Sequence, residues 1–143
     1  MRFTILPIAL LFVACQPTPA EEAASASRPA AAPPGQLSDF SQPMTARGNE
    51  PFWAVRIEGT RFTLLRPDTP PVVYEAPGAR ISPGVAAWEA KSADGRPLKL
   101  TLYVSPCSDG MSDFSYPMTS EVEVDGETLR GCAAKTAELP RGG

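Results

Sequence analysis

The 143-residue chain predicts an all-β fold: a small antiparallel β-barrel after a disordered linker, with a two-sheet sandwich as the alternative. Three observations predict it. From Thr45 onward, short segments of alternating polarity are separated by turn signals. Two of those signals, Asp94-Gly95 and Asp125-Gly126, are hairpin dipeptides. No stretch after Met44 repeats apolar residues at helical spacing. So many short strands in so few residues favour closure into a barrel, because closure removes exposed edges.

Residues 1–14 read as a signal segment. Met1 and Arg2 carry the positive charge, and an apolar run from Phe3 to Ala14 follows that is too short to span a bilayer. Leu10-Leu11-Phe12-Val13-Ala14-Cys15 resembles the lipobox of bacterial lipoproteins. That resemblance implies cleavage before Cys15 and lipidation of Cys15, with the membrane as a partner through the acyl chains. Several chains hold where one holds only marginally. Gln16 stands where an Asp would signal inner-membrane retention. The expected location is therefore the bacterial cell envelope, on the outer membrane, facing the periplasm.

Residues 15–44 form the linker after the lipidated cysteine. Ala, Pro, Ser and Gln dominate it, and such a composition buries too little apolar surface to offset ordering entropy. Pro29, Pro33 and Pro34 argue against the helix that its alanines would otherwise favour. Leu37 to Phe40 carries the linker's last apolar residues and is left without an assigned contact.

The barrel is placed over residues 45–136, with residues 137–143 as a tail. In Phe52–Glu58, Trp53, Val55 and Ile57 share one face. Gly59 turns the chain into Arg61–Leu64, where Phe62 and Leu64 point inward. Val72–Glu75 is a further short strand after Pro70-Pro71. The next two strands are set by register. A two-residue turn at Asp94-Gly95 opposes Trp88 to polar Thr101. A three-residue loop, Ala93-Asp94-Gly95, instead pairs Trp88 with Leu100, Ala90 with Leu98 and Glu89 with Lys99, so the three-residue loop is predicted. At Asp125-Gly126 the tight turn is predicted, because it pairs Val122 with Leu129 and Glu121 with Arg130. Continued, that register places Cys132 on the outer face with Thr119. Either a disulfide lies outside the sheet, or a bulge at Gly131 turns Cys132 inward.

Charge and cysteine content narrow the chemistry. Acidic residues outnumber basic ones, 16 to 13, and the basic ones do not cluster, which argues against nucleic acid as a partner. The three cysteines divide into the anchor Cys15 and the pair Cys107 and Cys132. An oxidising export compartment makes that pair an expected disulfide, contributing roughly 3–4 kcal/mol by loop closure. The absence of histidine removes Ser-His-Asp and Cys-His catalysis and His-ligated metals. No catalytic residue, metal site or cofactor is assigned, and the chain is read as a non-enzyme.

Two polar constellations remain. In Ser105–Asp113, Asp109, Asp113, Ser108 and Ser112 gather oxygens, but the spacing lacks a calcium-loop ladder. Local capping by Asp and Ser, with Gly110 at positive φ, accounts for them. In Arg47–Trp53, Arg47 is expected to pair with Glu50, Asp109 or Asp113. The candidate binding surface is Arg47, Asn49, Glu50, Asp109, Met111, Ser112, Asp113 and Tyr116.

Gly48-Asn49-Glu50-Pro51-Phe52-Trp53, Cys107-Ser108-Asp109-Gly110-Met111-Ser112-Asp113, Tyr116-Pro117 and Leu129-Arg130-Gly131-Cys132-Ala133 together resemble a family of uncharacterised bacterial membrane proteins and lipoproteins. The likeness runs from about Thr45 to Ala134. It implies an envelope location and the Cys107–Cys132 pairing, and it implies no activity. In plan the chain is also similar to the META heat-shock domain and to membrane-bound inhibitors of c-type lysozyme. The expected function is a binding or interaction module tethered to the outer membrane, its partner an envelope protein or a cell-wall component. A lysozyme-inhibitor-like role is the alternative, and a carboxylate-dependent cell-wall glycan hydrolase resting on Asp109 and Asp113 is the third reading.

Overall fold

The computed structural model describes residues 39–140. The leader, the lipidation site Cys15, most of the linker and the last residues of the tail lie outside that range. Eleven strands follow one another among the described residues: β1 (Met44–Asn49), β2 (Phe52–Glu58), β3 (Arg61–Arg66), β4 (Thr69–Glu75), β5 (Arg80–Ser82), β6 (Val85–Ser92), β7 (Pro97–Tyr103), β8 (Cys107–Ser108), β9 (Ser115–Tyr116), β10 (Met118–Val124) and β11 (Glu127–Lys135). The described residues hold no α-helix; a single 3-10 turn, Thr136–Glu138, follows β11.

Eight strands close a barrel in the order β4-β3-β2-β1-β11-β10-β7-β6, and β6 returns to β4. Closure decides against the sandwich. The seam is short: only Tyr74 with Ser92 and Glu75 with Lys91 are paired across it. The start of that edge of β6 is taken by β5, which pairs Arg80 with Ala87 through Ser82 with Val85. β4 begins at Thr69, so Pro70 and Pro71 lie within the strand. Its pairing with β3 shifts between Leu64 and Arg66, a bulge next to the prolines, which give the ladder no N–H.

Both hairpin registers follow the hydrophobic pattern. β6 and β7 pair Trp88 with Leu100 and Ala90 with Leu98 around the three-residue loop, where Gly95 has φ +83°. β10 and β11 pair Val122 with Leu129 around Asp125 and Gly126, both at positive φ as a type I′ turn requires. Glu121 meets Arg130 at 3.1 Å, but Lys99 bonds Glu123 at 2.7 Å rather than its other neighbour Glu89, which meets Arg80 at 3.3 Å.

The barrel interior is filled by side chains. Trp53, Val55, Ile57, Phe62, Leu64, Tyr74, Trp88, Leu100 and Val122 are all buried, and Phe62 meets Trp88 edge-on at 5.8 Å. Each such burial stabilises by roughly 1.5–3 kcal/mol. The Tyr74 hydroxyl is buried with no protein partner, and burial raises its pKa. The ordered fold starts ahead of residue 45. Met44 is a core residue of β1, and Phe40 packs its ring edge-on against Trp88 at 6.3 Å. At the other end, the Thr136 N–H donates to the Pro43 carbonyl at 2.9 Å.

Two glycines let β1 and β11 approach closely. A Cβ on Gly131 would sit inside the van der Waals shell of the Arg47 carbonyl oxygen and 3.1 Å from the Gly48 Cα. A Cβ on Gly48 would collide with the Trp53 indole, which lies across it from β2. The Trp53 ring thus occupies the space that a side chain at Gly48 would take.

No bulge turns Cys132 inward. The β10–β11 register runs unbroken through Gly131, pairing Thr119 with Cys132 and Met118 with Ala133. Ala133 therefore joins the barrel core, while Cys132 and Ala134 belong to a separate cluster outside it. They are nonetheless buried, under a second core built on the outside of the barrel from Tyr116, Cys107, Phe114 and Leu139. The β8–β9 hairpin, pairing Cys107 with Tyr116, carries it. The Cys107–Cys132 disulfide, with Cα atoms 5.5 Å apart, holds that hairpin to β11.

Candidate functional site

The segment between β7 and β10 is laid over the outer face of β1 and β11, and this decides what becomes of the candidate residues. Arg47 is paired in register with Cys132, so its side chain leaves the barrel on the same outer face. Asn49, two residues on, points the same way and donates from Nδ2 to the Asp109 carbonyl at 2.7 Å. One bond from a strand side chain thus fixes the height of the loop above β1.

Asp109 builds that loop. Its Oδ1 accepts from the backbone N–H of Met111 at 3.0 Å and of Ser112 at 2.9 Å. Its Oδ2 accepts from the Ser112 hydroxyl and the Tyr116 hydroxyl, both at 2.9 Å. Ser108 Oγ accepts from the Gly110 N–H at 3.2 Å, and Gly110 has φ +70°. The local capping expected from the sequence is therefore present, and it occupies the carboxylate. Backbone N–H groups, Ser112 first and then Met111, hold the Asp109 carboxyl well below the usual carboxylate range. A general acid needs its pKa raised towards the working pH. Asp109 moves the other way, so it does not suit the acid of a carboxylate pair.

Tyr116 is 1% exposed and joins the loop to the outer core. Phe114 meets it edge-on at 4.7 Å, and burial, then its bond to Asp109, raises its pKa. The Arg47 guanidinium lies over the other part of this cluster, its Cζ 5.5 Å from the Tyr116 ring centroid. The expected Arg47–carboxylate pair is not formed: no ion pair among the described residues includes Arg47, and its buried Nε meets no acceptor. The reason is geometric, because the Asp109 lone pairs face the turn and Tyr116.

Of the candidate residues, then, the fold brings together Arg47, Asn49, Asp109, Ser112 and Tyr116. Glu50, Met111 and Asp113 stand at the rim in solvent, Met111 at 72% exposure. Among the described residues, no three Cys, Asp or Glu side chains gather closely enough to hold a metal ion.

A groove beside Arg47 was not singled out from the sequence. It measures about 360 Å³, and Arg47, Asn49, Phe52, Ala54, Leu65 and Pro67 are among its lining residues. The signal was present: with Trp53, Val55 and Ile57 inward, Phe52 and Ala54 must face outward, an apolar pair where polar residues are expected. Phe52 is 57% exposed. A larger concavity of about 850 Å³ lies across β6, β7 and β10. Among the charges that line it, Lys99 pairs with Glu123 and Arg80 with Glu89, while exposed Lys91 is in no ion pair among the described residues.

The Asp109 bonds have a pH consequence. Its folded-state pKa lies below the unfolded value of about 4, so the stabilisation is complete above that value and is lost as pH falls through the folded one. Asp109→Asn is expected to have a lower urea midpoint than wild type at neutral pH. The two midpoints should converge on acidification below about pH 4, measured by tryptophan fluorescence. A constant gap between them across that range would show that the ionised carboxylate is not what matters.

Comparison with protein-family models, with curated proteins and with solved structures finds no match.

Proposed function

We propose that the chain is a non-enzymatic binding module, tethered through a lipidated Cys15 to the periplasmic face of the outer membrane. Its partner is an envelope protein or a cell-wall component, and its contact surface is the outer face of β1 and β2 with the β8–β9 loop. One observation supports this most directly: Arg47 is half-buried, lies over the Tyr116 ring, and is left without a carboxylate. A charge held partly out of water without a counter-charge is costly unless something else supplies one. The surface around it is also preorganised. Strands, a disulfide and the Asp109 turn hold it, so little ordering entropy remains to be lost on binding. The lipobox resemblance and the motif resemblance supply the envelope location.

Crosslinking in intact cells with the lipidated full chain tests the proposal. Phe52 and Met111 are exposed and outside both cores. The double variant Phe52→Ser, Met111→Ser should melt as wild type does and lose at least about tenfold of the crosslinked partner. Undiminished crosslinking by the variant, or no crosslinked species with wild type, would overturn it.

A further inference from the structure

We infer that the groove beside Arg47 takes the carboxy-terminal residue of a peptide, its free carboxylate on the Arg47 guanidinium and an apolar side chain against Phe52 and Leu65. This rests on the binding-module reading and names the ligand class for that surface.

The trough follows from register. Arg47, Ala54 and Leu65 form one row across β1, β2 and β3, all on the outer face. The central residue contributes a single methyl group between two long neighbours, so the row has a floor and two walls. Asn49 and Phe52 form the next row in the same direction. Pro67 also lines the groove. The groove measures about 360 Å³ and is shallow and widely open to solvent, so it suits one terminal residue rather than an enclosed ligand.

Charge selects the ligand. Three basic side chains in the described residues are half-buried: Arg47, Arg66 and Lys135. Arg66 has Glu127 at 3.2 Å and Lys135 has Glu138 at 3.9 Å. Arg47 alone of the three has no carboxylate within reach. Its Cζ lies over the Tyr116 ring, 5.5 Å from the centroid, and a guanidinium fork binds a planar carboxylate through two parallel hydrogen bonds. The only other cation lining the groove is Arg66, which Glu127 already neutralises. The site therefore suits one negative charge, not two.

Asn49 supplies the third point. Its Nδ2 donates to the Asp109 carbonyl, so the amide cannot flip, and its Oδ1 is an acceptor without a partner among the described residues. A terminal peptide residue has one carboxylate, one amide N–H and one side chain. Arg47, Asn49 and the Phe52–Leu65 wall meet these in turn.

The test uses the isotope-labelled full-length mature chain and three probes: N-acetyl-leucine, N-acetyl-leucinamide and octanoate. N-acetyl-leucine should shift the amide resonances of Gly48, Asn49, Ala54 and Leu65 saturably. The amide, which lacks the charge, and octanoate, which lacks the N–H, should each bind at least about tenfold more weakly. Arg47→Met should abolish the preference for acid over amide. Ala54→Leu should fill the trough and block N-acetyl-leucine with Arg47 in place. Equal binding of acid and amide, binding of octanoate as tight as that of N-acetyl-leucine, or unchanged binding by Ala54→Leu would each overturn the assignment. If crosslinking in cells succeeds while N-acetyl-leucine leaves the spectrum unmoved, the ligand class fails and the binding-module reading stands. If N-acetyl-leucine binds as described and wild type crosslinks to nothing, that reading fails and the site stands.

Discussion

Gly131→Ala is expected to cost about 3 kcal/mol and to lower the melting temperature by roughly 15 °C. The added methyl group meets backbone, the Arg47 carbonyl, which can move only if β1 and β11 separate. Separation would disturb both cores at once, because Cys132 and Ala133, adjacent on β11, belong one to each. Gly48→Ala is the internal comparison. There the backbone contact, the Arg130 carbonyl oxygen at 2.8 Å, is less close than the one at Gly131, and the nearest clash is with the Trp53 indole, a side chain, so the cost should be smaller, about 1–2 kcal/mol. Thermal melts of the two variants decide it. A Gly131→Ala protein as stable as wild type, or the reverse order of the two, would show that the strands are not held at this spacing.

Removing the disulfide is the second large effect. The bonded cysteines are 25 residues apart in sequence, and loop-closure entropy for that length gives about 3.5 kcal/mol. Cys107→Ser with Cys132→Ala is expected to lose that much, and to lose it unevenly. The β8–β9 hairpin touches the barrel through Tyr116, Phe114, the Cys107–Cys132 bond and the Asn49 contact. Trp53 and Trp88 lie in the barrel interior, away from it. Protease should therefore cut between Ser105 and Asp113 in the variant under conditions where tryptophan emission still reports a closed barrel. Coincident loss of both signals would mean that the hairpin and the barrel are one cooperative unit.

How much was legible in the sequence depended on how local the information was. The β6–β7 and β10–β11 registers were readable because alternation left one solution that buries Trp88, Leu100, Val122 and Leu129 together. Strand number favoured the barrel over the sandwich without deciding between them, because closure rests on the Tyr74–Ser92 and Glu75–Lys91 pairs and no local motif marks them. The outward position of Cys132 followed from period-two counting once a bulge was excluded, but the hairpin that buries it comes from elsewhere in the chain. The capping role of Asp109 was readable from Asp-Gly-Met-Ser. That the same capping would leave Arg47 without a partner was not, since it depends on which way the carboxylate faces. Leu37 to Phe40 offered apolar residues for docking but no partner, because the contact of Phe40, Trp88, lies far along the chain. The groove needed Ala54 set against Leu65, a cross-strand fact, although Phe52 and Ala54 already marked the face as apolar.

The short seam between β4 and β6 makes the barrel a sheet fastened by a clasp. Two paired positions close it, against seven between β6 and β7 and seven between β10 and β11. Native-state breathing should begin there, since opening the clasp breaks the fewest ladder bonds. The hydroxyl of Tyr74, at the clasp and without a protein partner, would gain water in the same motion. The disulfide-bound face lies on the other side of the ring of strands, with β1 three strands from β4 and β11 three strands from β6. The ring can therefore loosen at its clasp while the surface around Arg47 keeps its shape.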